Sequence, residues 1–207
     1  MQNAQLEAWT GQFGDEYTAR NSIQKVARMG LWHDILENIN GQHQSWLEVG
    51  ANIGQNLMVL RDISPWATLV GVEPNRLARE AMEAQGFRAY DGTAQALDFA
   101  PESFDVVFTS GVLIHISPKG HQGGFVEDDL TRACKEIIRV SKRFVVAIEY
   151  FSAEPREVKY RDKLGMLWTR DFGQYYMDLG LKPVACGFAW KPLTGLDNVT
   201  WWVLRKS

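Results

Sequence analysis

Apolar positions along this chain follow two rhythms, and the boundary between them falls near residue 45. Before it, SIQKVARMGLWHDILENI carries Ile23, Val26, Trp32, Ile35, Leu36 and Ile39 at mostly helical spacing and ends at the turn signal Asn40-Gly41. After it, short apolar runs alternate with helical patterns. WLEV predicts a first strand, followed by a helix from about Gly54; ATLVGVE predicts a second strand, followed by PNRLAREAMEAQG, a helix with Pro74 at its start and Gly86 past its end. FRAY reads as a third, short strand and FDVVFTS as a fourth. FVEDDLTRACKEIIRVSK then predicts a helix that buries Leu130, Ile137 and one of Ala133 or Cys134, and RFVVAIEYF a fifth strand. Repeated strand-helix order implies parallel pairing through right-handed crossovers. KPVACGFAW and NVTWWVLRK break that order, because a short loop without a helix joins them as an antiparallel hairpin on one edge. The expected fold is α/β, a Rossmann-like doubly wound sheet of seven strands, mostly parallel, with a C-terminal antiparallel hairpin and an N-terminal helical lid.

Length and composition narrow this to one domain. A chain of 207 residues with 45% hydrophobic content can bury one sizeable core. We expect a helical lid at 1–41, a cofactor-binding core at 45–150, a substrate-side insertion and helix at 151–181, and the hairpin at 182–207. Charge is nearly balanced, 22 basic against 25 acidic residues without a block of like charge, so nucleic acid is an unexpected partner. The N-terminus has no basic segment leading into an apolar one, and no stretch is long and apolar enough to span a bilayer. A cytoplasmic protein without a membrane partner, monomeric or homodimeric, is expected. Cys134 and Cys186 stand far apart with no CxxC, which predicts two reduced, buried thiols. His115 and His121 flank Pro118 and Gly120 with no clear carboxylate set, so no metal is expected.

In a sheet of this kind ligands bind beyond the carboxyl ends of the strands. After the first strand come Glu48, Gly50, Asn52 and Gly54; glycine, and less readily asparagine, accepts the left-handed backbone that lets a tight turn approach a ligand. After the second come Glu73 and Pro74, with a carboxylate suited to both hydroxyls of a ribose. After the third come Asp91, Gly92 and Thr93, which read either as a turn cap or as the groups that meet an adenine edge. Thr109, Ser110 and Gly111 leave room after the fourth. The run from Gly50 lacks the second and third glycines of a dinucleotide fingerprint, and it has neither the lysine nor the following Ser or Thr of a P-loop. NAD, FAD and ATP are disfavoured. S-adenosylmethionine remains, a nucleoside without phosphate whose ammonium Glu48 or its neighbouring backbone can meet.

The series LEVGANIG, VGVEPN, YDGTAQALDF and ESFDVVFTSGVLIHISP resembles the ordered motifs of class I SAM-dependent methyltransferases, with Asn52 where that family usually has glycine. QFGDEYTARN, GANIGQNL and EVKYRDKLGMLWTRDFG are more narrowly similar to the methylases associated with pseudaminic acid biosynthesis. The resemblance implies S-adenosylmethionine as donor, S-adenosylhomocysteine as product, and an acceptor oxygen or nitrogen on a small polar metabolite, with a sugar or surface-polysaccharide precursor suggested by the narrower family. A non-catalytic SAM-binding protein and an N-methyltransferase of a small amine or amino-acid-like intermediate are the alternatives. His115 is either a general base or a residue that only bonds nearby backbone. Trp9, Phe13, Tyr17, Arg20 and Asn21 form either a packed amphipathic helix or, the reading adopted here, a lid in which Phe13-Gly14-Asp15 breaks the helical period. Tyr17, Arg20 and Asn21 then face the cofactor, and Tyr17 joins His115 as a candidate catalytic residue. Glu149, Tyr150, Tyr160 and Arg161 are placed on the acceptor side, with Trp168, in a long insertion after the fifth strand.

Overall fold

The computed structural model describes residues 4–20, 25–39, 43–117 and 128–207. Asn21, Ile23, the Asn40-Gly41 turn, Pro118, Gly120 and His121 lie outside them. Three helices, α1 (Ala4–Thr10), α2 (Gln12–Arg20) and α3 (Lys25–Leu36), precede the sheet. The alternating part then runs β1 (Ser45–Val49), α4 (Gln55–Ile63), β2 (Thr68–Val72), α5 (Arg76–Ala84), β3 (Arg88–Tyr90), β4 (Phe104–Ser110), a 3-10 turn (Leu113–His115), α6 (Asp129–Val140) and β5 (Ser141–Glu149). It continues through β6 (Arg156–Tyr160), β7 (Lys163–Thr169), α7 (Phe172–Asp178), β8 (Lys182–Ala189), α8 (Lys191–Thr194) and β9 (Val199–Arg205).

The expected α/β sheet is present: seven strands in the order β3-β2-β1-β4-β5-β9-β8. The first five pair in parallel, and β9 and β8 enter antiparallel. Both faces are buried, so the strands read as nearly continuous apolar runs. Leu47, Val107 and Val145 face Leu130, Ile137 and Tyr176 of α6 and α7. Trp46, Val106 and Val146 face Trp32, Ile35 and Leu57 of α3 and α4. Order reverses between β1 and β4, which opens the crevice where a ligand can sit.

Several boundaries differ from expectation for identifiable reasons. Pro74 lies outside α5; Asn75 is the N-cap, its side-chain oxygen accepting from the Ala78 amide at 2.9 Å. Phe13-Gly14-Asp15 continues α2, and the interruption falls at Gly11, between α1 and α2. Val26 is 85% exposed, since α3 turns Leu31, Trp32 and Ile35 inward instead. Both Ala133 and Cys134 are buried on α6, whereas Cys186 is exposed on the edge strand β8. The joint of the C-terminal hairpin holds one helical turn, α8. The insertion after β5 is a second sheet, β6 paired antiparallel with β7 through a turn in which Arg161 and Asp162 both have positive φ.

Trp32 ties α3 to the sheet. It is fully buried, meets Trp46 and Phe108 edge-on at 6.0 and 4.8 Å, and donates from Nε1 to Asn56 Oδ1 at 3.2 Å. Trp32→Ala should cost about 3–5 kcal/mol of unfolding free energy. Chemical denaturation checks this; a loss below about 1 kcal/mol would mean that α3 is not part of the cooperative core.

Candidate cofactor and active site

A cavity of about 560 Å³ lies over the carboxyl ends of β1, β2 and β4 and is covered by α1 and α2. Its floor begins at Gly50, whose φ is +74°; a Cβ there would stand 2.4 Å from Val112 Cγ2, so only glycine lets this turn pass. Asn52 takes the left-handed conformation at φ 48°, which asparagine tolerates better than other residues with a Cβ. Gly54, at φ +78°, is the N-cap of α4 and does not line the cavity.

Glu48 points from β1 into the layer that holds α3 and α4. It is buried: Oε1 accepts from Asn56 Nδ2 at 2.6 Å, and Oε2 has no hydrogen-bond partner among the described residues. Burial pushes its carboxyl up to about 8, against the opposing pull of Asn56 and Arg28. Arg28 shares the cavity wall. Its guanidinium donates to Gln55 Oε1 at 3.1 Å and Asn56 Oδ1 at 2.9 Å, with no carboxylate in ion-pair range among the described residues. Burial lowers its pKa, opposed chiefly by the charge of Glu48. One end of the cavity thus presents an acid with an unused oxygen and a base joined to it only through Asn56. That arrangement suits a zwitterion, a bound ammonium meeting Glu48 and a bound carboxylate meeting Arg28.

Glu73 forms the next wall. Its oxygens accept from the amides of Asn52 at 2.8 Å and Asn75 at 2.9 Å, which fix its aim and leave lone pairs for two hydroxyls. Burial raises its carboxyl above the ordinary range. Pro74, Gly92, Thr93, Ser110 and Gly111 also line the cavity, as do Ala94 and Gln95. Asp91 does not; it is exposed and pairs with Arg79 at 2.9 Å.

The N-terminal helices form a roof over these strand ends. Gln5, Trp9 and Tyr17 face the cavity, whereas Arg20 is exposed and does not. Three strand-end segments hold the roof: Gln5 donates to the His115 carbonyl at 2.6 Å, Asn75 donates to the Trp9 carbonyl at 3.1 Å and Asp15 at 2.8 Å, and Asn52 donates to Thr18 at 3.2 Å. Gly14 permits the close approach, since a Cβ there would fall 1.8 Å from the Trp9 carbonyl oxygen.

His115 stands under this roof. Trp9 and Tyr160 pack on its ring at 4.8 and 5.2 Å between centroids, and Nδ1 lies 2.7 Å from the Met166 carbonyl. A carbonyl only accepts, so Nδ1 carries the proton and Nε2 offers a lone pair. Burial lowers the ring to about 4, which keeps it neutral at physiological pH. Tyr160 and Arg161 cover Phe13 from outside the roof and do not line the cavity. Tyr150 donates to Asp197 at 3.0 Å and also stays off the cavity wall. Glu149, expected on the acceptor side, is fully buried beneath the 3-10 turn instead.

Sequence reading missed Arg28, Gln5 and Asn75. Arg28 sits in an amphipathic segment where a cation reads as solvated, and Gln5 belongs to a polar N-terminus with no strand signal. Asn75 was recoverable as the residue after Pro74 with a helix beyond it. Among the described residues no group of three potential metal ligands occurs, and no helix is long and apolar enough to cross a membrane.

Residues 47–146 match the family model described as a methyltransferase domain. Three solved structures are similar throughout. A SAM-dependent methyltransferase from Leishmania major is 15% identical with a TM-score of 0.72, covering 98% of this chain and 87% of its own. The 1,6-didemethyltoxoflavin-N1-methyltransferase of Burkholderia thailandensis, bound to 1,6-didemethyltoxoflavin and S-adenosylhomocysteine, is 15% identical with a TM-score of 0.70, covering 99% and 86%. A Thermotoga maritima SAM-dependent methyltransferase, named a possible histamine N-methyltransferase, is 15% identical with a TM-score of 0.63, covering 99% of both chains. None of the curated proteins matches the sequence significantly. Similarity to a methyltransferase domain over residues 47–146, and in fold to SAM-dependent methyltransferases, supports an enzyme that uses S-adenosylmethionine.

The raised Glu48 carboxyl has a consequence for stability. Its folded pKa exceeds its unfolded value, so its contribution is full below about pH 4.5 and is lost as pH rises through about 8. His115 acts in the opposite sense, and only between about pH 4 and 6.5. From pH 6.5 to 8 the ligand-free protein should therefore lose stability, and Glu48→Gln should remove about 2 kcal/mol of that loss. Urea denaturation at the two pH values measures it; an unchanged slope in the variant would assign the titration elsewhere.

Proposed function

We propose that the protein transfers a methyl group to an oxygen of a small polar metabolite, with a sugar or surface-polysaccharide precursor as the favoured class. The neutral His115, its Nδ1 tied to Met166 and its Nε2 lone pair available, carries this reading. When bound, S-adenosylmethionine supplies a methyl group already activated on a sulfonium. Glu48 and Arg28 would hold its amino-acid end, Glu73 its ribose, and Gly92 to Gln95 its adenine. Roof residues Trp9 and Tyr17 would exclude water, which strengthens every charge interaction below them. An acceptor hydroxyl must lose its proton as it attacks, and His115, which lines the cavity with its Nε2 neutral, is positioned to take it, as a weaker base than an ordinary imidazole because burial lowers it to about 4. Tyr17 and Gln5 would fix orientation around it.

The sugar preference rests on the narrower family resemblance, and a cavity of about 560 Å³ supports an acceptor of metabolite size. In this division of labour α1 and α2 within residues 1–41 act as lid while α3 joins the core, 45–150 bind the cofactor, the β6–β7 hairpin within 151–181 packs against the lid and the His115 ring, and 182–207 close the sheet. An amine acceptor is the second reading, favoured by an N-methyltransferase and a protein named a possible histamine N-methyltransferase among proteins of similar fold. An amine can lose its proton before it binds, so His115 would then orient and not deprotonate.

Two measurements test these assignments. Glu73→Ala should weaken S-adenosylmethionine or S-adenosylhomocysteine binding by about 1.5–3 kcal/mol in calorimetry, the range for a hydrogen bond to a charged group; unchanged affinity in a folded variant would remove Glu73 from the ribose site. Substitution His115→Gln should lower kcat by roughly 10²–10⁴ with cofactor affinity retained. A folded His115→Gln enzyme that turns over normally would favour the amine reading.

A further inference from the structure

Glu149 at the end of β5 is the one candidate acceptor residue that the fold has placed wholly out of reach of a ligand, fully buried on the sheet face that packs α6 and α7. Its Oε1 accepts from the amides of Val112 and Leu113, each at 3.2 Å. Those amides open the 3-10 turn Leu113–His115. The first amides of a helical turn have no partner within it, and beneath a sheet end no water need reach them. The turn's internal bonds begin later, at His115 N to Val112 O, 2.9 Å, and Ile116 N to Leu113 O, 3.1 Å. A single carboxylate therefore gathers the orphan donors of the segment that carries His115. From the other side, Met166 takes His115 Nδ1 and Gln5 holds its carbonyl.

We infer that Glu149 is a positioning residue, whose carboxylate anchors the turn 112–115 and through it holds the His115 ring in place for proton removal from the acceptor. This rests on the reading of His115 as the base. The nearest titratable groups from the packed helices are the thiol of Cys134 on α6 and the hydroxyl of Tyr176 on α7. Burial raises both, Cys134 to about 12, so they stay protonated near neutrality while the Glu149 carboxyl, pushed up to about 7, does not. The charges of Arg170 and Asp128 also act on Cys134. The anchor should thus strengthen as pH rises through neutrality, because both amides meet Oε1 and a charged carboxylate oxygen accepts more strongly than the carbonyl oxygen of the neutral acid.

NMR on the wild-type protein tests the anchor without a substitution: the Val112 and Leu113 amide protons and the His115 ring should shift together through one titration near pH 7. Kinetics on the folded enzyme test its use. Glu149→Gln should lower kcat roughly 10- to 100-fold, part of what a well-placed base supplies. It should also abolish the limb of the kcat profile near pH 7 and leave S-adenosylhomocysteine affinity unchanged, whereas Glu149→Asp should keep a limb. Amides and ring that do not titrate between pH 5.5 and 9 would overturn the proposal, as would Glu149→Gln with wild-type kcat beside an inactive His115→Gln. If His115→Gln is active while Glu149→Gln still displaces the His115 signals, the anchor stands and the base assignment falls.

Discussion

The burial of Glu48 is the constraint on which the site depends. A carboxylate at the end of a central parallel strand, with both sheet faces covered, cannot be hydrated, and a buried charge without partners is costly. Asn56 meets part of that cost by donating to Oε1 while its own oxygen takes Arg28 and Trp32. One amide therefore links β1, α3 and α4. The price of this arrangement, among the described residues, is a buried Glu48 oxygen left without a hydrogen-bond partner and an Arg28 guanidinium left without a carboxylate, on two residues that line the same cavity.

The rest of the cavity follows from strand order. Because β1 lies between β2 and β4, the loops after these strands diverge and leave a crevice, with Glu73 on one side and the His115 turn on the other. Two helices from the N-terminus cover it through few but directed hydrogen bonds from Asn52, Asn75 and Gln5. Those side chains are polar and their bonds to the roof only part-buried, so the cover is weaker than the core it rests on. A roof held in this way can open for a cofactor without disturbing the sheet, which is the gating that such covers provide in many enzymes.

Much of this was legible in the sequence. The five parallel strands and the antiparallel edge follow from apolar runs and from a joint between the last two too short for a crossover helix, because burial on both faces leaves a strong signal. Glu73 and Gly50 were recognisable from their position after a strand. The β6–β7 hairpin was not, since Arg161 and Asp162 take positive φ where glycine or asparagine usually marks the turn, and charged residues dilute its alternation. Glu149 was misplaced because its position after a strand looks like that of Glu73; only packing shows that its side chain points under the turn. Arg28 was missed for the opposite reason. A cation on a helix reads as solvated until the fold reveals what lies above it. Asp91 reads equally well as a cap or a contact, and its pairing with Arg79 is a long-range fact that local pattern cannot supply.

The central claim is that the buried acid of Glu48 awaits a positive charge. Calorimetric titration of the protein with S-adenosylhomocysteine at pH 6.5, in two buffers of different ionisation enthalpy, tests it directly, because an ammonium that arrives at Glu48 must expel the proton that burial retains. The account predicts release of nearly one proton per bound ligand by the wild-type protein and none by Glu48→Gln. Tight binding without proton release, or the same release from both proteins, would contradict it.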